Sequence, residues 1–119
     1  MDYIVSSAAL LSLDAIYISA TKRFYTSLIG NVQKSKMQPR IFAVIATYIL
    51  LLFGLYTLII SKHRSPLEAA ILGFTIYGTF ELANYAIFKN WSLFAVIIGS
   101  LWGGLLLYLT TLITYFFIK

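Results

Sequence analysis

The chain has 119 residues, of which 61% are hydrophobic and 11% charged, against roughly half and a quarter in a soluble domain. A water-soluble protein of this size would need polar side chains on its outside that this sequence does not possess, so the composition points to a bilayer as solvent. There is no cysteine, hence no disulfide or thiolate metal site, and the net charge of +5 takes its meaning from where the nine Lys and Arg lie.

The first apolar run covers residues 3–20, close to the ~20 residues that cross ~30 Å of hydrocarbon. A cleaved signal peptide does not fit it: a basic leader and a small-x-small cleavage site are missing, and Asp14 stands where an apolar core belongs, so it is expected to stay as a permanent helix. The connection that follows, "TKRFYTSLIGNVQKSKMQPR", sets Phe24, Tyr25, Leu28, Ile29 and Val32 at helical spacing among Lys22, Arg23, Lys34, Lys36 and Arg40. Two readings fit that pattern: a short helix lying in the headgroups, or an extension of the first helix packed on its neighbours. The five basic residues are candidates for anionic headgroups or an acidic protein partner. Nucleic acid is disfavoured, because no fold for reading bases accompanies the charge.

The second span is residues 41–60, and "SKHRSP" then ends it and starts the next: Ser65 reads as a cap, Pro66 as the first helical residue and Glu68 as a first-turn acid. The third span, 67–88, and the fourth, 92–118, are joined by "FKNWS", short enough to force an antiparallel hairpin with Trp91 at interfacial depth. Nothing alternates at period two, and a lone helix satisfies its own backbone in lipid. The expected architecture is therefore all-α, a polytopic bundle of four transmembrane helices forming one membrane domain over residues 1–119.

The connections at 21–40 and 89–91 share a side and hold Lys22, Arg23, Lys34, Lys36, Arg40 and Lys89, while the opposite side has Lys62, Arg64 and Lys119. Six against three favours the first side as cytoplasmic, with both termini facing away.

Two acids interrupt the apolar spans, Asp14 and Glu81. An acidic residue in mid-span costs roughly 2.5–3.5 kcal/mol, whereas each Leu, Ile, Val or Phe returns about 0.3–0.6. Asp14 therefore nearly cancels the gain of a helix whose strong apolar residues are Ile4, Val5, Leu10, Leu11, Leu13, Ile16 and Ile18, and that helix must lean on the others. Both acids lie about six or seven residues before the end of their spans, roughly 9–10 Å from one membrane edge. Counting inward from that edge brings Thr47, Tyr48, Gly99, Ser100 and Trp102 to the same level, with Tyr17 and Tyr77 flanking the acids and Asn84 one turn from Glu81.

Every Lys and Arg lies outside the spans, so three arrangements are open for the acids: protonated and hydrogen-bonded, sharing a proton, or bordering a wet cavity that takes a cation or a headgroup amine. The plainer alternative is a polar clasp that holds the helices in register. Two carboxylates without His or Cys partners suit only weakly bound hard cations, so no metal site is assigned. Phosphate loops, nucleophile elbows and zinc-helix motifs are missing, and no catalytic residue or cofactor is assigned. Gly99 and Gly103 form G-x-x-x-G, overlapped by Ser100 and Gly104. This allows close helix approach within the chain or in a homodimer, and the hairpin neighbour favours the former.

"LDAIYISATKRFYTSLIG", "YGTFELANYAIFKNWSL" and "SLWGGLL" resemble the membrane proteins grouped as domain of unknown function 2177, found in bacteria and in large DNA viruses. The resemblance covers nearly the whole chain and maps Asp14, Phe24, Tyr25, Glu81, Asn84, Trp91, Trp102 and Gly103 onto the family's signature. The chain departs from the bacterial pattern at Ser100 and Leu101, where an acid precedes the Trp-Gly pair, and at Glu81, where Asp is frequent. The resemblance implies topology rather than a reaction. It leaves three roles in view: a noncatalytic component of a viral internal membrane contacting the capsid or other membrane proteins, a small transporter or channel using Asp14 and Glu81, and a membrane enzyme or accessory acting on lipids.

Overall fold

A computed structural model describes residues 2–33 and 40–118. It contains four α-helices, α1 (Asp2–Gln33), α2 (Ile41–Leu55), α3 (Pro66–Ile87) and α4 (Leu93–Ile118), with α2 prolonged by a π-helical segment, Tyr56–Ile60, and no strand among the described residues. The all-α membrane bundle expected from the sequence is borne out. Tyr3–Gly30, Ile41–Ile60 and Leu93–Phe117 are each long and apolar enough to cross a bilayer. Helix α3 has the length, 22 residues, but dilutes its apolar face with Glu68, Tyr77, Glu81 and Asn84.

Of the two readings of the first connection, the extension of the first helix packed on its neighbours is the one found. Helix α1 runs unbroken for 32 residues, about 48 Å at 1.5 Å per residue, and takes in the described part of the first connection up to Gln33. The reason is packing. Leu28 is buried with Trp91, Ala95 and Val96, Phe24, Tyr25 and Ile29 border the same cluster, and the Phe24 ring meets Phe94 edge-on at 5.4 Å. Apolar side chains that would otherwise lie in the headgroups find a protein surface instead. Lys34 and Lys36 lie outside the described residues.

Helix α4 is the shared partner. It runs antiparallel to α1, through Ser6 against Thr114, Asp14 against Trp102 and Phe24 against Phe94. It also runs antiparallel to α3, through Gly73 and Tyr77 against Gly103, Gly78 against Ser100 and Glu81 against Gly99. The α3–α4 contact is close because Gly73 and Gly103 meet backbone to backbone: a Cβ on Gly73 would overlap the Gly103 carbonyl. Leu10, Leu55, Ile60, Leu106 and Leu107 form the buried heart of the bundle.

Helix α2 leans on α1 and otherwise stands off, its Phe42, Ile49, Leu50 and Phe53 facing outward. Its far end is closed by a Schellman turn: the Arg64 N–H donates to the Ile59 carbonyl at 2.9 Å and the His63 N–H to Ile60 at 3.1 Å, with His63 left-handed at φ 52°. The Tyr115 hydroxyl ties this turn to α4 by donating to the Arg64 carbonyl at 2.6 Å. Ser65 and Glu68 then form a capping box ahead of α3, with Pro66 in the first turn and Arg64 paired to Glu68 at 2.9 Å. Ser92 starts α4 by accepting from the Ala95 N–H at 3.3 Å.

Candidate functional site

Asp14 sits on the face of α1 that meets both α2 and α4 and is 7% exposed. Its carboxyl accepts from the Tyr48 hydroxyl of α2 and, at 3.0 Å, from the Trp102 indole N–H of α4. One side chain thereby joins three helices. Tyr17, one turn on, lies flat against the Trp102 indole at 4.7 Å and 3° and meets the Tyr25 hydroxyl at 2.9 Å. The stack holds the indole edge toward Asp14.

Glu81, on α3, is 3% exposed and accepts from the Trp91 indole N–H at 3.0 Å. Its side chain lies against Gly99, where a Cβ would collide with the carboxyl. Tyr77, one turn earlier, packs over Gly103 in the same way, and Ser100 is buried opposite Gly78. Gly104 faces Ala70 and Phe74 of α3. The two acids occupy adjacent levels. Glu81 is opposite Gly99 and Asp14 opposite Trp102, a separation of three positions or about 4.5 Å along α4.

Thr47 and Asn84, also assigned to this layer, are less enclosed than the two acids. Thr47 is exposed on α2, where its hydroxyl donates to the Ala43 carbonyl at 2.8 Å. Asn84 is half-buried on α3, one turn beyond Glu81 toward the α3–α4 turn. Of the basic residues, Lys22 and Arg23 project from α1, Arg40 precedes α2, and Lys89 lies in the turn after α3; all four are exposed.

Two features were not anticipated. Trp91, expected at interfacial depth, is also buried and donates to Glu81; the signal available was that an indole N–H removed from water needs an acceptor. A second polar cluster lies near the other end of the α1–α4 interface. The Ser6 and Thr114 hydroxyls meet at 2.9 Å, the Thr114 hydroxyl donates to the Thr110 carbonyl at 2.7 Å, and Thr110 and Thr111 are fully buried. The hydroxyls of Thr110 and Thr111 have no hydrogen-bond partner among the described residues.

Chemically, the layer directs neutral O–H and N–H donors at two buried carboxyls, and the one ion pair between side chains among the described residues, Arg64–Glu68, lies outside it. The described residues include no group of three His, Cys, Asp or Glu side chains that could hold a metal ion.

The model of one protein family, DUF2177, described as a predicted membrane protein, matches residues 1–116. No curated protein and no solved structure matches the chain.

Proposed function

We propose, for a chain that belongs to the DUF2177 family of predicted membrane proteins, a noncatalytic structural role in the bilayer. Its buried carboxyls act as clasps that set helix register, and its basic edge engages anionic headgroups or the acidic face of a partner. The observation behind this reading is that Asp14 accepts from α2 and α4 at once, which uses the acid to hold helices together. Interhelical hydrogen bonds of this kind contribute about 0.6–2 kcal/mol each in a membrane. Lys22 and Arg23 follow Asp2 by about 30 Å of helix, one hydrocarbon thickness, and this supports reading them, with the exposed Arg40 and Lys89, as a headgroup-level edge. The setting we propose is a virus-particle membrane, where such an edge could face the inner surface of a capsid; it is read from the viral members of the family, and proteomics of purified particles tests it.

The clasp itself is tested by proton and cation flux into liposomes containing the parent chain, Asp14→Asn or Glu81→Gln, alongside unfolding in detergent. The expected result is unfolding at lower denaturant in both variants with no acid-dependent flux. Flux in the parent that either variant abolishes would overturn the structural role in favour of transport.

A further inference from the structure

We propose that the cleft between α2 and α3 holds one acyl chain of an anionic phospholipid whose headgroup is bound by Arg40 and Lys89. This rests on the reading of the basic edge as a headgroup surface and names the place where the lipid is held.

The cleft has a volume of about 420 Å³ and is lined by Thr47, Leu50 and Leu51 of α2 and by Ile76, Tyr77 and Phe80 of α3. Its walls are almost wholly apolar, and Leu50 is 71% and Phe80 57% exposed. Because α2 is apolar enough to span the bilayer, such a cleft opens to acyl tails rather than to water.

Its two walls carry cations at the same end and the same height. Thr47 and Leu51 follow Arg40 by 7 and 11 residues, and Phe80 and Ile76 precede the end of α3 at Ile87 by the same 7 and 11, so each wall begins about 10 Å and ends about 16 Å below its rim. Arg40 is exposed at one rim, and Lys89 is exposed just past the other. A phosphate between them meets opposite charge, and a chain descending from it meets the apolar walls. A second copy of this protein fits the rim poorly. Of the four acids of the chain, Asp14 and Glu81 are buried, while Asp2 and Glu68 begin α1 and α3 at the opposite end of the bundle.

The test uses full-length protein in phosphatidylcholine vesicles doped with phosphatidylglycerol carrying a mid-chain diazirine, or with the matching phosphatidylcholine probe. After irradiation, adducts are mapped by mass spectrometry. Adducts should concentrate on residues 47–51 and 76–80 and be several-fold more abundant with phosphatidylglycerol. Arg40→Gln combined with Lys89→Gln should reduce them to the phosphatidylcholine level. Leu50→Trp, which fills the cleft from an exposed position, should reduce adducts with both probes while circular dichroism shows unchanged helix content. Adducts spread evenly over the outward helix faces, or cross-linked dimers joined through the cleft, overturn the proposal. If phosphatidylglycerol is preferred but its adducts lie outside the cleft, the cleft assignment fails and the basic edge stands. With no headgroup preference anywhere, both fail.

Discussion

The Trp91 indole N–H donates to Glu81 Oε1 across 3.0 Å, fastening the turn between α3 and α4 to an acid buried inside their hairpin. Trp91→Phe keeps most of the ring and deletes the donor, leaving a buried carboxyl without it. The expected loss is about 1–3 kcal/mol, measured by denaturant titration in detergent. Adding Glu81→Leu to that variant should recover part of the loss, because the group left unsatisfied is then gone. Independent, additive effects would show that the pair does not interact.

Tyr48 and Trp102 converge on one carboxyl from different helices, so their deletions should differ in kind. Tyr48→Phe should cost about 0.6–2 kcal/mol and free α2 in particular, since α2 otherwise touches little besides α1. Spin labels on α2 and α4, read by pulsed EPR, should report a broadened distance distribution. An unchanged distribution would assign the position of α2 to apolar packing instead.

At the other end of the α1–α4 interface, neighbouring threonines should respond with opposite signs. Thr110→Val and Thr111→Val exchange an unpartnered buried hydroxyl for a methyl of similar shape and should be neutral or stabilising by up to about 1 kcal/mol. Thr114→Val removes the bonds to Ser6 and to the Thr110 carbonyl and should destabilise by about 1 kcal/mol. Thermal unfolding of the three variants side by side decides it, and a uniform response would contradict the assignment.

Two glycines provide an internal control on helix approach. Gly73→Ala drives a methyl into the Gly103 carbonyl and should destabilise by about 1–3 kcal/mol or more. Gly54→Ala, with nothing within 4 Å of the added carbon, should stabilise by up to about 1 kcal/mol through helix propensity alone. Equal effects at the two sites would mean that α3 and α4 are not in backbone contact.

The helices were legible because lipid permits so few ways of satisfying a backbone, and the capping box at Ser65 could be read from four residues. The length of α1 was not, because Phe24 and Leu28 suit a headgroup layer and a helix interface equally well; what decides between them is a surface on α4, remote in sequence. Depth arithmetic brought Asp14, Tyr48 and Trp102 to one level, but depth says nothing of rotation about the helix axis. Thr47, next to Tyr48 in sequence, therefore points elsewhere. The Thr110–Thr114 cluster escaped notice since threonine in a span usually bonds its own helix, and only the antiparallel pairing with Ser6 gives it a second role.

The order of the chain has a consequence for biogenesis. Helix α4 follows the other three, yet it carries the indole that completes Asp14 and the glycine surface that receives α3. During synthesis the earlier segments must therefore wait in the membrane with Asp14 only partly satisfied until α4 is in place.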